Sequence, residues 1–168
     1  MRGFFPGRFQ PFHQGHLRFV EQILEEASEV VVAVGSAGLS HTEENPFTAG
    51  ERISMIHRTL EHLEDTTFVI PITNIEPYAL WAAHVRTLSP SFDAVYSNNP
   101  TVRRVITENG YDARGVDLYE RDRYRGTEIR RRMNAGEPWR DLVPDEVADV
   151  VEEIDGVERV RAVSRDDG

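Results

Sequence analysis

The sequence predicts a Rossmann-like α/β fold, with one parallel sheet and helices on both faces. Three observations carry this. Short apolar runs such as Gly3-Phe4-Phe5-Pro6 and Val30-Val31-Val32-Ala33-Val34 end at glycine, as buried parallel strands do. Segments with apolar residues at helical spacing alternate with those runs, which implies right-handed crossovers between parallel strands. The length of 168 residues suits one domain, whose usual size is about 100–150 residues. The expectation is a single domain over 1–168, with a C-terminal helix and tail over 143–168.

The first strand covers residues 3–6. Leu17, Val20, Ile23 and Leu24 then put one apolar face on a helix over about 16–26. The second strand is 30–34. Thr48 and Glu51 form a capping box that opens the next helix, with Ile53, Ile56, Leu60 and Leu63 as its inner stripe. The third strand is 68–72. A helix over 79–88 follows, with Leu80, His84, Val85 and Leu88 close together on one side. The fourth strand, 93–97, turns at Asn98-Asn99-Pro100 into a helix through Ile106. Residues 116–119 read as a fifth, weaker strand. A further helix begins with Thr127 as N-cap, and Val143, Val147, Val150, Val151 and Ile154 mark one last long helix. Such sheets bind ligands beyond the carboxyl ends of their strands, so 6–16, 35–47, 73–81, 97–100 and 120–130 are the segments to search for chemistry.

Composition narrows the function. There are 29 acidic and 19 basic residues, a formal charge of −10, which argues against a general nucleic-acid binder. The absence of cysteine excludes a disulfide scaffold, a thiol nucleophile and Cys-based metal sites. No apolar run approaches the roughly 20 residues that cross a bilayer, and the first residues do not read as a secretory signal. The expectation is a soluble, cytoplasmic protein that engages neither membrane nor nucleic acid. All 19 basic residues are arginine. Codon bias and adaptation to a salt-rich cytoplasm both account for that; the second predicts activity that rises into molar potassium chloride.

Two segments combine a helix start with groups suited to anions. The first, Gly7-Arg8-Phe9-Gln10-Pro11-Phe12-His13-Gln14-Gly15-His16, sets two histidines around a glycine where a helix begins. Free backbone N–H groups and the positive dipole end attract phosphate there, and Gly15 allows close approach. The second, Tyr124-Arg125-Gly126-Thr127-Glu128-Ile129-Arg130, places a guanidinium one turn inside another helix start. Either alone also reads as ordinary capping and solvated charge. Two histidines three apart supply only half a zinc site, and no protein-held metal is expected.

The string GRFQPFHQGH resembles the signature of the HxGH nucleotidyltransferase superfamily. GSAGLSH at 35–41, ENPFTAGERI at 44–53, Tyr78-Ala79-Leu80-Trp81 and GTEIRRRM at 126–133 narrow the resemblance to the archaeal-type nicotinamide-mononucleotide adenylyltransferases. It covers nearly the whole chain. The resemblance implies that ATP and nicotinamide mononucleotide give NAD and pyrophosphate, by direct in-line attack of the mononucleotide phosphate on the α-phosphate. It makes His13, His16 and Arg130 catalytic. It assigns Gly7, Arg8, Phe9, Gln10, Gly15, Ser97, Asn99, Tyr124 and Thr127 to ATP, and Ser36 and Trp81 to the mononucleotide, with Trp81 stacking on the nicotinamide ring. Magnesium would arrive on the ATP phosphates, and a homo-oligomer, a hexamer by resemblance, is expected. Two departures stand out. Arg125 replaces the superfamily's usual serine, and Asn98 replaces a glycine, which asks it to adopt a glycine-compatible conformation. Another superfamily transferase, with phosphopantetheine, a flavin phosphate or a CTP-linked substrate, is the nearest rival. A non-catalytic nucleotide sensor is the rival from another class.

Overall fold

The computed structural model describes residues 1–117 and 120–166. Five strands, all paired in parallel, form one sheet in the order β3-β2-β1-β4-β5. They are β1 (Arg2–Gly7), β2 (Glu29–Val34), β3 (Thr67–Pro71), β4 (Ala94–Tyr96) and β5 (Asp112–Arg114). The chain winds outward from β1 through β2 to β3, then returns to lay β4 on the other side of β1. The carboxyl ends of β1 and β4 therefore flank the topological switch point, where such folds leave a crevice.

The two-residue period of the strands sorts the core into two layers. Phe5, Val30, Val32 and Tyr96 face helices α1 (Gln14–Glu26), α2 (Ala49–Thr59), α5 (Gly126–Ala135), α6 (Asp145–Glu153) and α7 (Gly156–Asp166). Phe4, Val31, Ala33 and Val95 face α3 (Trp81–Leu88) and α4 (Pro100–Glu108). The Thr48–Glu51 capping box forms as the sequence predicts, with Thr48 N donating to Glu51 Oε1 at 2.8 Å and Glu51 N to Thr48 Oγ1 at 3.1 Å.

Four expectations need correction. The helix over 79–88 starts as a 3-10 turn at Tyr78–Leu80, and its inward side is Trp81, Ala82 and Val85. Leu80 and Leu88 are 51% and 45% exposed, so the inner stripe lies one step round from the one expected. The fifth strand is Asp112–Arg114, a polar segment on the sheet edge, which has only one neighbour and needs no apolar run. Val116 and Asp117 lie outside any strand, and residues 118–119 fall outside those described. The last helix is two helices, broken at Asp155 (φ 54°) and Gly156, and the segment taken for a tail is the packed helix α7. Finally, α5 starts at Gly126 with Arg125 as N-cap, which puts Thr127 inside the first turn rather than at the cap.

No helix among the described residues is long and apolar enough to cross a membrane.

Candidate active site

The loop after β1 builds the floor of the crevice. Phe9 takes φ 52° and turns its ring back over Gly7, where an added Cβ would stand 2.7 Å from that ring. The Phe9 ring packs against Phe5, Phe12 and His16, and Gln10 pairs both ways with the Phe47 backbone at 3.0 and 2.9 Å. The side chains of Phe9 and Gln10, assigned to ATP by resemblance, are thus spent on holding the loop, and what they offer a ligand is backbone. The carbonyl of Gln10 accepts from Arg130 Nη1 at 2.7 Å, which ties α5 to this loop. Gly126 lets the two meet: a Cβ there would lie 2.9 Å from Arg130 Nη1 and 3.1 Å from the Gln10 carbonyl oxygen.

His13 is the N-cap of α1, and His16 is its third residue. His16 N donates to His13 Nδ1 at 3.3 Å, and His13 N donates to His16 Nδ1 at 3.1 Å. This is a capping box made of two imidazoles, stacked with ring centroids 3.5 Å apart. Because each Nδ1 accepts, each neutral ring carries its proton on Nε2, and both rings line the crevice as hydrogen-bond donors. Gly15 leaves room for the pair, since a Cβ there would stand 3.0 Å from His13 Cε1. Burial pushes the His13 pKa down to about 3, and burial with His13 alongside holds His16 well below the usual histidine range. Both are neutral donors near pH 7.

A consequence is measurable without substrate. Between the unfolded histidine value of 6.5 and the depressed native values, the unfolded chain binds protons that the native chain refuses. This stability is complete above pH 6.5 and falls as pH drops, at up to about 1.4 kcal/mol per pH unit for each histidine. Melting temperatures from pH 7.5 to about 5, above the carboxylate range, should decline in the native chain and less in His13→Asn. Equal slopes in the two would show that His13 is not held neutral.

Ser97 follows β4 and is buried, and its Oγ accepts from Asn99 N at 3.1 Å. Asn99 caps α4, its Oδ1 accepting from Thr101 N at 2.9 Å and Val102 N at 3.4 Å. Asn98 does not take the glycine-like conformation expected of it, because φ is not positive there. It sits in place by pairing its amide with Val116, donating to the carbonyl at 2.8 Å and accepting from the N–H at 3.1 Å. Tyr124 and Arg121 close the crevice from the segment before α5.

The result is two adjoining cavities. One, of about 460 Å³, lies between the ends of β1 and β4 and is lined by His13, Gly15, His16, Ser97 and Tyr124 among others. The second, of about 540 Å³, is lined by Arg8, Glu43, Glu44 and Arg130, with Val160 and Ser164 of α7 as its far wall. Arg125 and Thr127 line both. Arg8 faces Glu44 at 3.9 Å across the second. Among the described residues, no three His, Asp or Glu side chains are grouped to hold a metal.

On the opposite side, Ser36 takes φ 48° and brings its Oγ to 3.3 Å from Asn74 Oδ1, linking the loops after β2 and β3. Trp81 is 8% exposed and edge-on to Phe4 at 6.2 Å, so most of the indole is committed to packing, doing the work expected of Leu80 and Leu88. Tyr78 stacks on it at 6.0 Å and is the more open ring.

The sequence reading missed Arg52. Its side chain is wholly buried on α2, yet it donates to the carbonyls of Arg8 (2.7 Å), Gly35 (2.7 Å), Ser36 (3.2 Å) and Thr48 (3.2 Å). Burial lowers its pKa to about 10, against the opposing pull of Glu51. One guanidinium thus binds the loops after β1 and β2 to the start of α2. The only signal was a charge within the apolar stripe of a helix. The second of the two C-terminal helices was missed too: Arg159 of α7 pairs bidentately with Glu51 at 2.5 and 2.8 Å.

A family model described as cytidylyltransferase-like matches residues 4–132. A nicotinamide-nucleotide adenylyltransferase of Methanoculleus marisnigri is 52% identical over 166 residues, covering 99% of both chains. Proteins of the same name from Halorubrum lacusprofundi and Thermoplasma acidophilum are 50% and 48% identical, each over 99% of this chain and 95% and 93% of their own. Among solved structures, a bifunctional NMN adenylyltransferase/ADP-ribose pyrophosphatase from Francisella tularensis, complexed with AMP and a manganese ion, matches with TM-score 0.77 and 22% identity over 96% of this chain. This chain spans about half of that one (52%), and the likeness is one of fold.

Proposed function

The chain belongs to the cytidylyltransferase-like family, among the nicotinamide-nucleotide adenylyltransferases, and from that premise we propose how its crevice works. The reaction joins ATP and nicotinamide mononucleotide into NAD and releases pyrophosphate. A phosphate oxygen of the mononucleotide bonds to the α-phosphorus of ATP, and the bond from that phosphorus to the bridging oxygen of the pyrophosphate breaks. The attacking phosphate is already ionised near neutral pH, so no protein base is needed, and the two neutral histidines are suited to donation rather than proton removal. Catalysis is positioning plus charge stabilisation.

His16 and His13 donate from Nε2 to the α-phosphate, while Arg8, Arg130 and the backbone at Thr127 hold the β- and γ-phosphates in the adjoining cavity. Ser97 and Asn99 border the adenosine. The nicotinamide end lies near Ser36, with the Tyr78–Trp81 ring pair as its aromatic surface. Magnesium comes as part of the MgATP substrate, which suits a crevice whose described residues form no metal cage. Copies of the chain associate, with Leu39, Phe68, Leu80 and Leu88 as exposed apolar side chains available for contact. The observation that carries the reading is the reciprocal His13–His16 box at the switch point, which pre-aims two donors where a phosphate would sit.

The test is NAD formation from MgATP and nicotinamide mononucleotide, read by coupling to alcohol dehydrogenase after desalting aliquots from low and molar potassium chloride. NAD with stoichiometric pyrophosphate is expected, with more in molar salt if the acidic, lysine-free surface is a salt adaptation. ATP binding with no NAD in either salt would overturn the acceptor assignment.

A further inference from the structure

We propose that Arg125 is a further substrate-binding residue of this chain, holding the β- and γ-phosphates of ATP and then the departing pyrophosphate. This rests on the adenylyl-transfer reading above and assigns a role to a residue the family pattern does not supply, since a serine usually stands there. Four arginines line the phosphate cavity: Arg8, Arg125, Arg130 and Arg131. Arg131 is neutralised by Glu128 at 2.9 Å and Glu137 at 2.5 Å. Arg8 faces Glu44, and Arg130 gives one nitrogen to the Gln10 carbonyl.

The cavity also carries Glu43 and Glu44, so a bare triphosphate entering it meets carboxylates as well as guanidinium groups. Arg125 is different from the other three. Its side chain is exposed, lines both cavities, caps nothing on α5, and has no hydrogen bond, ion pair or ring contact among the described residues. It stands at the junction where the α-phosphate beside His13 and His16 would continue into the β- and γ-phosphates beside Arg130. A guanidinium there offers bidentate donors to two phosphate oxygens and offsets the acidic wall. A serine at the same place would supply one hydroxyl and no charge.

Calorimetric binding of ATP, AMP and tripolyphosphate in low salt tests this, using the unsubstituted chain, Arg125→Ala and Arg125→Lys. Arg125→Ala should weaken ATP and tripolyphosphate about tenfold and leave AMP within about twofold. Arg125→Lys should recover most of the loss, and molar salt should shrink the difference. The substitution removes no internal contact, so the melting temperature should hold. ATP affinity unchanged in Arg125→Ala, or an equal loss for AMP and ATP, would overturn the proposal. Failure of the unsubstituted chain to bind ATP at all would instead overturn the adenylyl-transfer reading beneath it.

Discussion

His16→Ala should lower kcat at least about 100-fold while changing the KM for ATP much less, because the lost donor acts on charge that grows in the transition state. Removing one such donor typically costs roughly 3–4 kcal/mol, and an effect on kcat exceeding that on KM marks an interaction made chiefly at the transition state. The substitution also takes away the ring that accepts from His13 N, so the first turn of α1 loses half of its cap. Circular dichroism and ATP binding separate that structural cost from the catalytic one. His16→Asn, which keeps a donor and a capping oxygen, should recover part of the rate. Near-normal turnover in His16→Ala would remove this residue from the chemistry.

The second large effect is expected at Arg52. Arg52→Met keeps most of the side-chain volume but strips the Arg8 and Gly35 carbonyls of their donor, while Ser36 O keeps Leu39 N and Thr48 O keeps the backbone N–H of residue 52. A single buried group left unpaired costs about 1–3 kcal/mol. Two such groups, partly reached by water, bring the total to about 3 kcal/mol, a large share of a typical domain's stability. The kinetic signature should be a rise in KM for both substrates, since the loop carrying Arg8 and the loop carrying Ser36 are released together. Arg52→Lys offers a charge but not the planar fork, and should fall between the two. Urea unfolding and steady-state kinetics on the same preparations measure both consequences. Stability within about 0.5 kcal/mol of the parent, inside the scatter of surface substitutions, would mean that the guanidinium is not what joins these loops.

The contacts that build this molecule differ in how local they are. The Thr48–Glu51 box was legible because a cap is a contact between residues three apart, so the chain carries both halves within one turn; His13 and His16 were legible as a pair at a helix start, but that they cap each other was not. The strands β1, β2 and β4 were legible because their middles are buried on both faces and are therefore apolar. Arg130, which lines the second cavity, was legible from its place one turn into a helix after a strand. Phe9 and Gln10 were recognisable as part of the motif, yet their side chains serve the loop itself.

What the sequence by itself determined is the alternation of elements, the central strands and the placing of both anion-seeking helix starts after strands of one sheet. These follow from local periodicity and short-range capping, which do not depend on what lies across the molecule. Tertiary structure alone decided the rest. It made a strand of Asp112–Arg114 because β4 offered an open edge, turned Trp81 inward in place of Leu80 and Leu88, and broke the last helix so that α7 could reach Glu51. It also gave a buried arginine four carbonyls from separate segments. Each of these depends on partners distant in sequence, whose positions are set only when the sheet and its helices have come together.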